Sequence, residues 1–112
     1  MDKTVKKYEK ALLTLLEDYA RIKPVNWKSA QNQVIADRQN HHYQLVRFGW
    51  QDNHHVHYAV FHFDIINGKV WIQQNRTDMP IVDELEELGI PEKDIVVANF
   101  YPVGLPQNAS VG

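Results

Sequence analysis

The chain of 112 residues contains no cysteine. This absence excludes disulfide bonds, thiol nucleophiles and zinc sites built from thiolates. No apolar run approaches the roughly 20 residues that a membrane helix needs. The charged start MDKTVKKYEK also lacks the apolar segment of a signal peptide. We therefore expect a cytoplasmic protein without a membrane segment.

A basic excess is also missing, because 12 lysines and arginines are set against 14 aspartates and glutamates, for a formal net charge of −2. A protein that binds nucleic acid by itself normally carries a basic patch. We therefore expect this protein to meet DNA only through a partner. The length is typical of one domain, and we assign residues 1–112 to a single domain.

The common catalytic motifs are absent as well. The chain has neither a glycine-rich phosphate loop nor a GxSxG sequence, and its serines are limited to Ser29 and Ser110. A His62–Asp64 dyad could exchange protons, but we expect it on a flat sheet face without a pocket. The sequence therefore predicts a protein that is not an enzyme.

The spacing of apolar residues predicts an α+β fold. Helical spacing from about Lys3 to Ile22 indicates an amphipathic helix, and the period then changes to two. A second helix in TDMPIVDELEELG, capped by Thr77 or Asp78, precedes a short strand in DIVVAN and an irregular tail from Phe100. Short polar turns predict an antiparallel meander of four or five strands, whose first four are Gln33–Asp37, His42–Trp50, His55–Ile66 and Lys69–Gln74.

The turns set the expected register of the two hairpins. Asn67-Gly68 is a strong signal for a two-residue turn, and it places Phe63 opposite Ile72 and Asp64 opposite Trp71. If Trp50 lies opposite His55, the register of the preceding hairpin, between the second and third strands, follows in the same way. The helices should then cover the face that carries Phe48, His57, Phe61, Phe63 and Ile72.

The opposite, outer face combines aromatic and polar side chains, since the same register gives it Tyr43, Leu45, Arg47 and Val60. Such a mixture is typical of protein–protein interfaces. The alternative is that the second helix or the tail covers this face and makes it a second core. We predict that the partner-binding residues on the outer face are Tyr58, His62, Asp64, Trp71 and Gln73.

Four of the six histidines lie between His54 and His62. A metal site needs three or four converging ligands. In the predicted register His62 and Asp64 could supply two, and no obvious third ligand lies in register, although Tyr43 is near. His57 is expected to be a core histidine. We therefore predict that no metal is needed for folding, and we assign no cofactor.

A series of short motifs extends to about Ala98: GW at 49–50, VH at 56–57, HFDI at 62–65, GKVWIQ at 68–73, Thr77, LGIP at 88–91 and DIV at 94–96. Together with the opening KYEKALLTLLEDYA, they resemble the XisI family, also called the fdxN element excision controlling factor family, found largely in cyanobacteria. The tail NFYPVGLPQNASVG departs from the family pattern.

This resemblance implies a role in the programmed excision of a DNA element. The recombination itself would belong to a separate recombinase, and the protein would act as a controlling factor with a companion, XisH. The resemblance implies no catalytic residues. We therefore expect a non-enzymatic accessory protein that binds a XisH-like partner and self-associates. The alternatives are a nuclease or nuclease subunit of a mobile-element system and a direct DNA-binding module.

Overall fold

A computed structural model describes residues 3–98. It contains two helices and one five-stranded sheet, so the predicted α+β fold is confirmed. The predicted irregular tail from Phe100 lies outside the described residues. The elements are α1 (Lys3–Ala20), β1 (Gln31–Asp37), β2 (His42–Gln51), β3 (His54–Ile66), β4 (Lys69–Asn75), α2 (Ile81–Glu87) and β5 (Ile95–Val97), with a short 3-10 turn at Glu92–Asp94.

The strands follow chain order across the sheet, β1-β2-β3-β4-β5. The first four are antiparallel, as the short turns predicted. β5 joins β4 in parallel, so the sheet is mixed. A parallel neighbour needs a crossover connection, and α2 provides it between β4 and β5.

The apolar stripe of α1 packs on one side of the sheet, and its buried residues include Tyr8, Leu12 and Leu16. α2 adds Ile81 and Leu85 to the same core. Both helices therefore lie on one side of the sheet, which we call the helix side. Among residues 3–98, neither helix is long and apolar enough to cross a membrane.

The start of α2 differs from the predicted cap. Pro80 occupies the N-cap position, and no side chain caps the helix. The Thr77 hydroxyl instead donates to Asn75 Oδ1 at 2.7 Å and accepts from the Met79 N–H at 3.1 Å. The predicted end of the helix is confirmed, because Gly89 follows it with φ +103°, a conformation that glycine adopts without strain.

A β-bulge in β3 sets the two sides of the sheet. The β2–β3 register follows the prediction from Trp50 opposite His55 to Val46 opposite Ala59, but Leu45 then lies opposite Phe61. Val60 is therefore an extra residue in β3. Because side chains alternate between the sides of a sheet, one extra residue exchanges the faces beyond it.

Residues predicted on the outer face consequently lie on the helix side. Tyr43 and Leu45 are fully buried and Val60 is 3 % exposed, all within the core. The Tyr43 hydroxyl donates to Glu9 of α1 at 2.6 Å, and burial together with this carboxylate raises the pKa of Tyr43. Arg47 also points to the helix side, where its Nε donates to Asn32 Oδ1 at 2.9 Å.

The opposite correction applies to Phe48 and His57, which were predicted to lie under the helices. They form a cross-strand pair on the other side of the sheet, with ring centroids 6.2 Å apart. Phe48 is only half-buried and His57 is exposed, so His57 is not a core histidine. We call this side, on which neither of the described helices packs, the open face.

The Asn67-Gly68 hairpin keeps its predicted register near the turn, with Asp64 opposite Trp71 and Phe63 opposite Ile72. A second irregularity follows, because His62 lies opposite Gln74 instead of Gln73. Phe63 and Ile72 are both buried on the helix side, as predicted.

Phe61 on β3 and Phe48 on β2 test this assignment of sides. Phe61→Ala should lower the free energy of unfolding by about 3–5 kcal/mol, since it empties a fully buried position. Phe48→Ala, the matched control on the open face, should cost less than about 2 kcal/mol. Urea denaturation measures both values. Equal losses for the two variants would contradict the bulge at Val60.

Candidate functional site

A buried carboxylate lies at the centre of the open face. Asp64 is 2 % exposed although neither helix within residues 3–98 packs on this face. Its Oδ1 accepts from His42 Nδ1 at 2.7 Å and from His62 Nε2 at 2.8 Å. Its Oδ2 accepts from Gln73 Nε2 at 3.2 Å. We call these four residues the polar cluster.

Three strands bring the polar cluster together. His62 and Asp64 are separated by one residue of β3, so they share a face. His42 begins β2 directly opposite Asp64. Gln73 comes from the irregular part of β4, where it is the residue left without a cross-strand partner.

The bulge at Val60 also explains why the sequence analysis missed His42. The predicted register placed Tyr43 opposite His62 and left the even-numbered residues of β2 on the helix side. With Val60 inserted, His42 faces Asp64 and lies on the open face. The two adjacent apolar residues Val60 and Phe61 interrupt the alternation, and this is the one signal in the sequence that could have revealed the bulge.

The electrostatics of the polar cluster favour an ionised Asp64. Burial opposes ionisation most strongly, but the hydrogen bonds and charge interactions with His62 and His42 outweigh it and hold the pKa of Asp64 below its usual value. Each imidazole nitrogen must carry a proton to donate to the carboxylate. The arrangement thus fixes the orientation of both rings.

The polar cluster is open to solvent on one side, since the side chains of His42, His62 and Asp64 are 47 %, 23 % and 3 % exposed. One ligand-type atom from each of these three residues lies within 4.8 Å of the others. Two imidazoles and a carboxylate form a donor set that suits transition metals. The structure therefore adds a third potential ligand to the two counted from sequence.

The five predicted partner-binding residues do not all lie together. His62, Asp64 and Gln73 are in contact, and Trp71 is directly opposite Asp64 on β4. Tyr58 lies before the bulge, and its ring packs against the core on the helix side. The guanidinium carbon of Arg76 is 5.1 Å from the centre of that ring. Tyr58 is therefore separated from the other four by the sheet.

The open face also carries exposed apolar side chains, including Trp50, which the predicted register had placed under the helices. Trp50 is 62 % exposed and lies beside His55, with ring centroids 5.3 Å apart. Ile35 of β1 is 45 % exposed, and it lies opposite Gln44 on the same face. Ile35 thus lies near the polar cluster, whereas Trp50 lies at the far end of β2 from His42.

A separate cleft of about 310 Å³ lies between β4 and the start of α2. Its walls include Ile72, Ile81 and Val97, and Asp83 is its one titratable lining residue among those described. Since Ile72 faces the helix side, the cleft does not connect with the polar cluster.

Removing the carboxylate of Asp64 tests how much it contributes to the free energy of unfolding. Asp64→Ala should lower the free energy of unfolding by about 1–3 kcal/mol, because two imidazole N–H groups lose a charged acceptor. Gln73→Ala, which removes one longer hydrogen bond, should cost less than about 1 kcal/mol. Denaturant titrations measure both. A neutral or stabilising Asp64→Ala substitution would contradict the described network.

Comparisons with known proteins give consistent results. The family model described as XisI protein matches residues 1–105, which extends beyond the expected end of the resemblance at Ala98. A solved structure of a XisI-like protein from Anabaena variabilis ATCC 29413 is 40 % identical, with a TM-score of 0.72 and 84 % of each chain covered. The fdxN element excision controlling factor XisI from the same organism is 26 % identical, with a TM-score of 0.74 and coverage of 89 % of this chain and 90 % of that chain. No curated protein matches. The chain therefore belongs to the XisI family.

Proposed function

We propose that this protein is a cytoplasmic, non-enzymatic controlling factor for the excision of a DNA element. It acts by binding a XisH-like companion protein and contacts DNA only indirectly. Membership of the XisI family supports this role, as does the likeness to a protein named an excision controlling factor. The net charge of −2 fits a protein that reaches DNA through its partner.

The observation that carries the proposal is the open face. Both described helices pack on the other side of the sheet, so α2 does not turn this face into a second core. Trp71 is half-buried beside the polar cluster, and Trp50 is 62 % exposed. An aromatic anchor such as Trp71 next to oriented polar groups is typical of the energetic centre of an interface. Trp50, at the other end of β2 from His42, adds apolar area to the same face.

The open face would serve two partners in turn. A large sheet surface with apolar groups on several strands can pair with the same surface of a second copy, as in a two-fold dimer. We propose that the isolated protein self-associates in this way and that the companion replaces the second copy. The second copy and the companion then compete for the surface around Trp71.

A nuclease or nuclease subunit of a mobile-element system is the second candidate, and the polar cluster favours it because His42, His62 and Asp64 could hold one metal ion. The polar cluster is nevertheless smaller than the usual site of such enzymes. Metal-dependent nucleases commonly hold two ions about 3.5–4 Å apart, which requires several carboxylates. The polar cluster contains one, Asp64. Cleavage of plasmid DNA that depends on a divalent metal and is lost in Asp64→Ala would establish this alternative in place of the controlling role.

Substitution of Trp71 tests the proposed interface. Trp71→Ala should weaken binding to the co-expressed XisH-like companion by about 2 kcal/mol or more, since a central aromatic anchor is lost. Titration calorimetry measures the affinity, and sedimentation velocity measures self-association. Circular dichroism checks that the variant is folded.

Ile22→Ala is the matched control, because Ile22 is 58 % exposed in the loop after α1, away from the open face. Its companion affinity should equal that of the wild type. Tyr58→Ala should lower stability without a specific loss of affinity, because its ring packs against the core. A folded Trp71→Ala variant that associates like the wild type would refute the interface.

The indirect contact with DNA gives a separate prediction. The isolated protein should bind random duplex DNA with a dissociation constant above about 1 µM at physiological salt, because it lacks a basic excess. Fluorescence anisotropy measures this affinity with and without the companion. Tighter binding by the protein alone, with a steep salt dependence, would instead indicate a direct DNA-binding module.

A further inference from the structure

We propose that the polar cluster binds a divalent first-row transition metal ion of the zinc class through His42, His62 and Asp64. The ion occupies the position between the two imidazoles and the carboxylate. This site lies on the open face, within the proposed companion interface, but the inference rests on the donor atoms and their geometry and not on that interface.

The distances between the donor atoms are close to those of a metal site. Two ligand atoms at about 2.1 Å from a tetrahedral ion lie about 3.4 Å apart. His42 Nδ1 and His62 Nε2 lie 2.7 and 2.8 Å from Asp64 Oδ1, and ligand atoms of all three residues are within 4.8 Å of one another. A small outward rotation of the imidazole rings therefore makes room for the ion. The protons on His42 Nδ1 and His62 Nε2 are lost to solvent when the ion binds, and each neutral ring then carries its proton on the other nitrogen.

The chemistry of the donors selects the class of ion. Imidazole nitrogen suits zinc, copper, iron and nickel, whereas magnesium and calcium prefer sites made of oxygen. Two imidazoles with one carboxylate leave at least one coordination position for water. The His42 side chain is 47 % exposed, so an ion can reach the polar cluster from solvent.

The surroundings orient the ligands before an ion arrives. Gln73 donates to Asp64 Oδ2, so Oδ1 is turned toward the imidazoles. Such outer hydrogen bonds to a ligating carboxylate tune metal affinity. Asp64 is almost completely buried, which strengthens its attraction for a cation compared with an exposed carboxylate.

Folding does not require this ion. The core contains Tyr43, Phe61 and Phe63 on the helix side of the sheet, and the strands are paired on both sides of β3. The polar cluster is satisfied by its own hydrogen bonds, since no buried side-chain donor or acceptor within residues 3–98 lacks a partner. Metal binding is thus a reversible property of the folded protein.

Histidines on the same face provide matched controls. His57 lies opposite Phe48, and the ring of His55 lies beside Trp50. Neither of these aromatic rings is a metal ligand. Loss of His57 should therefore leave the proposed site intact while removing one exposed imidazole, the same change that His42→Ala makes within it.

The test uses the full chain without an affinity tag, because a polyhistidine tag would itself bind zinc. Calorimetric titration with zinc should show one ion per chain, and cobalt(II) should give the visible absorption of a nitrogen- and oxygen-ligated ion. His42→Ala and His62→Ala should each weaken zinc binding by about tenfold or more, and Gln73→Leu by a smaller factor. His57→Ala should bind like the wild type, and excess magnesium should not compete.

Several results would overturn the proposal. These are the absence of a one-to-one zinc complex in the wild type, unchanged zinc affinity in His42→Ala, or an equal loss in His57→Ala. Since the His42 side chain is 47 % exposed, its removal leaves the fold intact, and circular dichroism verifies this. A negative result leaves the companion interface standing, because the Trp71→Ala measurement requires no metal.

Discussion

One extra residue in β3 determines which side chains lie on each side of the sheet. Val60 has no partner on β2, so the chain resumes its alternation one position out of phase at Phe61. The shift lets Tyr43, Leu45 and Phe61 enter the same core. It also turns His42 toward Asp64 on the open face. The core and the candidate site are thus two consequences of one bulge, in agreement with the tendency of bulges to lie beside functional sites.

The second consequence is a carboxylate, Asp64, that is buried on the side of the sheet opposite the two described helices. Burying a charge is costly unless hydrogen bonds and partner charges compensate it. Asp64 receives three side-chain hydrogen bonds from residues of β2, β3 and β4. The bonds from His42 and Gln73 cross to β3, the bond from His62 lies within it, and together they hold both imidazole rings in defined orientations. A rigid polar group within an apolar surface gives that surface a specific recognition element as well as contact area.

The two sides of the sheet differ in what they carry. The helix side is occupied by α1, α2 and the core, and its cleft beside β4 contains one titratable lining residue among those described, Asp83. The open face carries the aromatic groups and the donor atoms of the polar cluster. One solved XisI structure similar to this chain is named an excision controlling factor. An ion in the polar cluster would add a charge to the same surface.

The sequence by itself determined the secondary structure, the Asn67-Gly68 hairpin, the register close to each turn and the family. These features depend on local rules: apolar period, turn chemistry and neighbouring residues. Tertiary structure alone decided the bulge at Val60, the irregularity at Gln73 and the parallel addition of β5. A bulge depends on how Val60 and Phe61 pack together against helices far away in the chain, and no local rule measures that packing. For this reason the sequence could place His62 and Asp64 on one face, since they are two residues apart on one strand. Only the fold shows that His42 lies beside them and that Tyr58 lies on the other side of the sheet.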